Sequence, residues 1–298
     1  MATILCKLYI VVAVFTILVV VLAYLCSRRK TVTVMLYDSI PVVDSSWNET
    51  NRFPHLPQTI VQSWKTRDLV PQRVFDDIKE FAPGYMHIFL DDEACDIFMQ
   101  THYPSLFDLY KRLKTPAHRA DLFRYCYLYK HGGIWLDIKV VLVRPIKEII
   151  RAGDEIYTVL SFAKWNNELT CHQGILAAPP GSSFMRDMIS SFIMIEPHIS
   201  HLGYLAFCRQ MYIYLEKKYP GLRVGKTHSA GLPTLNLYEE FEVSACPTKR
   251  DHYGFCPYIR DTDGRIVFKV RDPTFPYNGS TDNSDDERLR ILPTLSLT

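Results

Sequence analysis

A pair of glycines at residues 132–133 divides a predicted helix from a predicted strand, and this unit constrains the fold of the chain most. The helix, residues 115–131, starts with a threonine–proline pair and repeats apolar residues at helical spacing. A glycine at its end is free to adopt the left-handed conformation that terminates many helices. The strand, residues 134–143, is apolar except for Asp137 and Lys139. The pattern therefore predicts a helix, a sharp turn and a strand, and the all-apolar run from residue 140 suggests burial on both faces there.

Four charged side chains lie within this unit. Asp121 and Arg124 are three positions apart, so a helix places them on one polar stripe. Asp137 and Lys139 are two positions apart and would project to the same face of one strand. Each pair alone is typical of a solvated surface pair, which contributes little to stability. Together they lie beside one glycine turn in an apolar surround, where a charge is costly unless it is paired or binds a ligand. The four residues are therefore candidates for a site.

The rest of the chain has the pattern of an α/β domain. Its 298 residues are 48% hydrophobic and 22% charged, which suits a globular protein with a sizeable core. A formal net charge of +2 argues against an extended nucleic-acid surface. Strands are predicted near residues 59–64, 85–90 and 156–160, and helices near residues 71–81, 93–100, 183–195 and 201–219.

The N-terminal part contains an uncharged apolar run that is long enough to cross a bilayer as a helix. A cleaved signal peptide is the alternative, but the run is longer than a usual signal core and has no clear small-residue cleavage site. We therefore predict a single-pass membrane anchor. The predicted order is a short tail (1–7), the anchor (8–26), a stem (27–55), a folded domain (56–275) and a loose C-terminal tail (276–298).

The membrane orientation stays open at this point. The basic cluster at residues 28–30 favours a cytosolic domain. Two glycosylation sequons, at Asn48 and Asn278, favour a lumenal one. Six cysteines follow the apolar run and are compatible with disulfides or with free thiols. No CxxC pair is present, which argues against a structural zinc site.

The stretch AHRADLFRYCYLYKHGGIWLDIK, residues 117–139, resembles the sugar-binding region of DXD-motif glycosyltransferases of family 32. That family includes yeast initiating mannosyltransferases, inositolphosphoceramide mannosyltransferases and capsular-polysaccharide enzymes. The likeness extends to residues 60–65 (IVQSWK), to residues 82–93 and to the HQGILAAPPG segment at residues 172–181. The resemblance implies a GT-A, Rossmann-like domain with a mostly parallel central sheet.

The resemblance also implies how a nucleotide-sugar donor would be bound. Trp64 matches the aromatic residue that stacks on the nucleotide base, and Gln62 and Ser63 lie beside it. His228 lies in a segment that weakly resembles a loop near the donor phosphates. These four residues are predicted donor contacts. His172, in the HQG segment, is at least as compatible with a structural role as with one in the site.

The central unit carries the predicted catalytic residues Asp137, Arg124 and Lys139. By the resemblance, Asp121 holds ribose or sugar hydroxyls and Arg124 contacts the sugar or phosphate. Asp137 matches the first acid of DXD, which holds the donor diphosphate through Mn²⁺ or Mg²⁺; both are hard cations that carboxylates suit. The second acid of the motif is replaced by Lys139. Three alternatives follow. Asp137 alone would hold the metal, or Lys139 would contribute a positive charge to the phosphates and reduce the dependence on metal. In the third alternative, catalysis would be lost.

The implied function is transfer of a hexose from a UDP- or GDP-linked donor to a glycan or glycolipid acceptor, with retention of configuration. A Golgi or ER location with a lumenal domain follows from the family resemblance. The alternative is a catalytically weakened relative that binds nucleotide sugars or acts as a scaffold, because of Lys139.

Overall fold

The computed structural model describes residues 55–150, 155–163, 168–198, 203–242, 256–270 and 275. The predicted anchor (8–26), nearly all of the stem (27–55) and the C-terminal tail (276–298) lie outside the described residues and stay predictions. Within the residues that are described, no helix combines the length and the apolar character that a membrane span requires.

The described part of the chain is an α/β domain built on one large sheet. Its strands are β1 Thr59–Ser63, β2 Met86–Leu90, β3 Gly133–Leu136, β4 Val141–Leu142, β5 Glu155–Ala163, β6 Glu168–Ala178, β7 Gly225–Thr227, β8 Thr234–Glu242, β9 Pro257–Arg260 and β10 Ile266–Lys269. Its α-helices are α1 Gln72–Phe81, α2 Asp92–His102, α3 Pro104–Arg112, α4 Pro116–His131, α5 Ile146–Ile149, α6 Ser183–Ile195 and α7 Ala206–Lys218. Short 3₁₀ turns span Arg67–Leu69 and Glu196–His198. The predicted strands and helices are confirmed, apart from the strand at β3. The helices α3 and α5 and the strands β6 to β10 are additions to the predicted elements.

The sheet is mixed, with the strand order β2-β1-β3-β6-β5-β8-β9-β10-β4 and β7 paired to β8. Only β1–β2, β1–β3 and β5–β8 are parallel among the described pairings; the other pairings are antiparallel. The predicted mostly parallel sheet is therefore wrong. The connections at residues 164–167 and 261–265 are too short for a crossover, so they impose antiparallel neighbours.

Two cores cover the two faces of the sheet. Ile60 and Ile134 belong to one core, and the next residues along each strand, Val61 and Trp135, belong to the other. This alternation is the period of two expected of a strand. The Val61–Trp135 core takes residues from α2, α3, α4, α6 and α7, whereas α1 and α5 pack on the Ile60–Ile134 side. Strand β3 is buried on both faces, whereas in β4 Leu142 is buried and Val141 is half-buried.

Helix α4 has the local signals that its sequence indicates, with proline in the first turn and Gly132 at its end. Gly132 has φ 65°, and its amide donates to Leu128 O at 2.8 Å. A β-carbon at Gly132 would lie 2.5 Å from Pro180 Cδ, so the turn also needs the space that glycine leaves. The Asp121–Arg124 stripe is buried rather than solvated, because α4 lies between the sheet and neighbouring helices.

The predicted strand over residues 134–143 is the main local error. Strand β3 ends at Leu136, and a turn follows in which Val140 N donates to Asp137 O at 2.9 Å. The chain then forms β4, which pairs with β10 at the other end of the sheet order. Asp137 and Lys139 therefore do not share a strand face. A carboxylate at the strand end avoids burial within the sheet, which is the physical reason for the break.

Candidate active site

The candidate site lies at one edge of the sheet, where β1, β2 and β3 end together. The three strands are parallel, with Ser63 opposite Leu90 and Val61 opposite Trp135. Asp137 is the first residue after β3. Trp64 follows β1, and its amide donates to Leu90 O at 3.2 Å. Carboxyl ends of parallel strands are the usual ligand-binding edge of an α/β sheet.

Arg124 joins the two predicted acids of the site. Its Nη2 atom lies 3.2 Å from Asp137 Oδ1 and 3.3 Å from Asp121 Oδ1. The guanidinium also donates to the carbonyl oxygens of Gln173 and Ala120, so its orientation is fixed from several sides. The Arg124 side chain is 5% exposed, whereas that of Asp137 is 41% exposed. The site therefore presents Asp137 to solvent in front of a buried cation.

The backbone and carboxylate of Asp137 are held by two further neighbours. Trp135 Nε1 donates to Asp137 Oδ1 at 2.8 Å, and the Asp137 amide donates to Gly174 O at 2.7 Å. Gly174 lies so close that a β-carbon there would be 2.8 Å from Asp137 Oδ2 and 2.5 Å from His172 Cε1. Strand β6 has a register irregularity in this region, between the pairs Tyr157–Ala177 and Val159–His172. Such irregularities re-aim side chains next to sites.

The pKa values of Asp121 and Asp137 are shifted in opposite directions by burial and by neighbouring charges. Burial raises the pKa of Asp121 to about 6, despite the opposing charges of Arg124 and His118. Burial alone would also raise the pKa of Asp137, but the Arg124 guanidinium and the Trp135 hydrogen bond outweigh it and hold that pKa below its usual value. The two acids raise the pKa of Arg124 against the effect of its own burial. Asp137 is thus the stable carboxylate of the site.

Lys139, two residues after Asp137, lies against aromatic rings. Its Nζ is 5.0 Å from the ring centroid of Trp64 and 5.9 Å from that of Phe275. The two rings meet edge to face with centroids 5.3 Å apart. Phe275 is the last residue of the predicted domain, and its contact with Lys139 is one that the sequence pattern does not predict. Lys139 and Trp64 are thus brought together by the turn after β3.

The remaining predicted donor contacts are Gln62, Ser63 and His228. Gln62 is fully buried, and its Oε1 lies 3.0 Å from His87 Nε2 on β2. Ser63 is half-buried at the end of β1. His228 is exposed, and its Nδ1 lies 3.0 Å from Thr234 Oγ1 at the start of β8. That end of β8 aligns through β5 and β6 with the start of β3, so His228 is not brought to Asp137.

The β6 segment that faces Arg124 contributes more to the site than its sequence indicates. Both side-chain polar atoms of Gln173 and the Nδ1 atom of His172 are buried without a hydrogen-bond partner in the described part of the chain. The Gln173 carbonyl accepts from Arg124, and Gly174 contacts Asp137 through its carbonyl. The HQG segment at residues 172–174 was the available signal, because it continues the resemblance beyond the charged turn.

The donor set at Asp137 does not fit the divalent metal that the resemblance implies. Among the described residues, no group of three His, Cys, Asp or Glu side chains could hold a metal ion. One oxygen of Asp137 already accepts from Trp135 and pairs with Arg124. The position that would supply a second carboxylate carries the ammonium of Lys139 instead. A divalent ion would therefore meet one partly committed carboxylate between two cations.

A comparison with known protein families identifies the stretch of the chain that contains the candidate site. Residues 71–156 match the family described as a glycosyltransferase sugar-binding region containing the DXD motif. The predicted resemblance is confirmed. This region includes Asp121, Arg124, Asp137 and Lys139.

Several curated relatives of the chain are fungal glycosyltransferases. Inositol phosphoceramide mannosyltransferase 3 of Schizosaccharomyces pombe is 32% identical over 114 residues, which are 36% of this chain and 32% of that protein. The mannosyl phosphorylinositol ceramide synthase CSH1 of Saccharomyces cerevisiae is 28% identical, over 46% of this chain and 35% of its own. The initiation-specific alpha-1,6-mannosyltransferase of Candida albicans is 30% identical, over 34% and 28%. The chain thus spans about a third of the length of these relatives.

A solved structure, the PaToxG glycosyltransferase, superposes with a TM-score of 0.44 at 13% identity. The match covers 56% of this chain and 71% of that one.

Proposed function

We propose that this protein is a membrane-anchored glycosyltransferase with a GT-A-type domain, which moves a hexose from a nucleotide-sugar donor to a glycan or glycolipid acceptor. The observation that carries the proposal is the Arg124–Asp137 ion pair at the carboxyl end of β3, within the stretch that matches the sugar-binding region. The relatives are named as mannosyltransferases, so mannose is the first hexose to test and GDP or UDP the first carrier.

The chemistry follows from the charges of the site. Cleavage of the bond between sugar and diphosphate leaves negative charge on the diphosphate, and a prepositioned cation stabilises that charge as it develops. The guanidinium of Arg124 is held by Asp121, Asp137 and a backbone carbonyl, so little reorganisation is needed. Asp137 is the exposed acceptor for hydroxyls of the donor sugar. Retention of anomeric configuration is proposed from the family resemblance.

We place the domain in the lumen of the secretory pathway. Cys256 is disulfide-bonded, whereas Cys95, Cys126, Cys171 and Cys208 are free. Disulfides persist in oxidising compartments and are rare in the cytosol. The disulfide supports the orientation that the two sequons favour over the one that the basic cluster at residues 28–30 favours.

The second candidate function is a nucleotide-sugar-binding protein without transferase activity. The observation that favours it is Lys139, which replaces the second acid of the motif in the catalytic turn. Such a protein would bind the donor and release no sugar from it.

The deciding experiment uses the full-length protein in detergent with GDP-mannose and with UDP-glucose, and it measures both hydrolysis and transfer to a glycan and to a glycolipid acceptor. Asp137→Ala is compared with Asp108→Ala, a change of an exposed acid on α3. Loss of turnover in Asp137→Ala alone supports the transferase. Binding of a donor without turnover by either protein supports the binding function, and absence of donor binding contradicts both.

A further inference from the structure

Two cations act on one carboxylate, Asp137, in the candidate site. Arg124 pairs with Asp137 from the buried side, and Lys139 follows Asp137 by two residues in the turn after β3. Asp121 shares the guanidinium of Arg124 but is largely buried, with 11% of its side chain exposed. The half-exposed surface of the site is therefore formed by Asp137 and Lys139, and it carries one more positive charge and one fewer negative charge than a motif with two acids.

The turn holds Lys139 at a defined place. Val140 N donates to Asp137 O, which closes the turn, and the neighbouring Ile138 is buried with Val70, Val74 and Phe75. The ammonium rests near the rings of Trp64 and Phe275 at 5.0 and 5.9 Å. Cation–π contacts at such distances are modest in strength, whereas bonds from an ammonium to a phosphate are charge-assisted and stronger. A phosphate oxygen would therefore hold the ammonium more strongly than these two ring contacts do.

We propose that Lys139 binds the diphosphate of the nucleotide-sugar donor directly, so that donor binding does not require a divalent metal. The inference rests on the proposed function, because it assigns the diphosphate to the site of Arg124 and Asp137. When the donor base stacks on Trp64, the ammonium leaves the ring and contacts the phosphate oxygens. Arg124 supplies the second, fixed cation behind Asp137.

The residues around Asp137 also favour a lysine over a metal ion as the partner of the diphosphate. A metal ion placed at Asp137 would be repelled by Lys139 and Arg124, and it would compete with Arg124 and Trp135 for the same carboxylate. A diphosphate is attracted by both cations. Lysine is suited to this role because its ammonium is a compact charge on a flexible stem with three donors.

Calorimetric binding to the full-length protein tests the inference with GDP and UDP as probes, each beside its nucleoside, in EDTA and in Mn²⁺. The ratio of nucleotide to nucleoside affinity isolates the diphosphate. We expect the ratio to be unchanged by EDTA. It should fall about tenfold in Lys139→Met and be restored in Lys139→Arg, since one charge-assisted bond is lost and regained. Lys139→Asp should bind the diphosphate only with Mn²⁺, and Lys147→Met, an exposed change on α5, should match wild type.

The outcomes separate the two proposals. Nucleotide binding by wild type that disappears in EDTA overturns the role of Lys139 and leaves the proposed function standing. An unchanged ratio in Lys139→Met, with nucleotide still bound, does the same. If neither GDP nor UDP binds wild type under any condition, the proposed function is overturned and the inference falls with it.

Discussion

Arg124 Nη2 lies 3.2 Å from Asp137 Oδ1, and this contact joins helix α4 to the end of strand β3 across the glycine turn. The turn at residues 132–133 reverses the chain, so two residues far apart along α4 and β3 meet at one edge of the sheet. Asp121 lies on the other side of the same guanidinium. One buried cation therefore organises both acids of the site.

Arg124→Met is expected to destabilise the protein by about 3 kcal/mol, because it leaves Asp121 buried without its cation. Urea unfolding at pH 7 measures the change. The control is Arg112→Met, since the Arg112–Glu196 pair is exposed on the arginine side and exposed pairs contribute less than about 1 kcal/mol. Equal losses in the two variants would contradict a structural role for the buried pair.

The pH dependence of the free energy of unfolding should reveal the titration of the Asp121 carboxyl group. Its pKa in the folded protein is raised to about 6, whereas an unfolded aspartate titrates near about 3.9. Between these values the folded state binds more protons, so the stabilising effect of the protonated acid is complete at low pH and is lost as the pH rises through about 6. The free energy of unfolding of wild type minus that of Asp121→Asn should fall by about 2 kcal/mol from pH 4 to pH 6.

Urea unfolding of both proteins at several pH values measures this difference, and the Asn variant serves as the non-titrating control. A difference that rises with pH would mean that Asp121 behaves as an ordinary salt-bridged acid, with its stabilising charge lost on acidification.

Gly174→Ala should displace the Asp137 carboxylate by steric contact. The added methyl group would lie 2.8 Å from Asp137 Oδ2, so the carboxylate must shift away from its place beside Arg124. We expect GDP affinity to fall at least about tenfold and stability to fall by about 1 to 3 kcal/mol through overpacking. Calorimetric titration and urea unfolding measure the two effects.

Gly221→Ala is the matched control for this substitution. Gly221 has φ 77° and no atom within 4 Å of the added methyl group, so it should lose about 1 kcal/mol of stability through backbone conformation alone. Nucleotide affinity should not change. Tight GDP binding by Gly174→Ala would show that the position of Asp137 is not needed.

Trp64→Leu should weaken nucleoside binding, because it removes the ring on which the base is proposed to stack. A base stacked on an aromatic residue contributes about 1 to 3 kcal/mol, and the loss should be similar for guanosine and GDP. Trp64→Phe should retain most of the affinity. Phe162→Leu, at an exposed aromatic residue of β5, is the control. If GDP and guanosine bind Trp64→Leu as tightly as wild type, the base lies elsewhere.

Local signals in the sequence account for the parts that were predicted correctly. Helix α4 and the turn after it follow from a proline in the first turn, from apolar spacing and from glycine at the end, all of which act within a few residues. The strands β1 and β2 follow from short runs of β-branched and aromatic residues. The charged residues Asp121, Arg124 and Asp137 were identified because charges in apolar surroundings need partners.

The order of the strands and the contacts between distant segments follow from the tertiary structure. The sheet is mixed because β6, which lies beyond β5 in the chain, inserts between β3 and β5. That insertion brings Gly174 against Asp137 and the Gln173 carbonyl against Arg124, contacts that no spacing near the motif predicts. Which residues carry charge beside the glycine turn can be read directly from the amino-acid sequence. Only the packing of β6 and α4 decided that Arg124 is a buried cation, since burial depends on what covers a side chain and not on its neighbours in the chain.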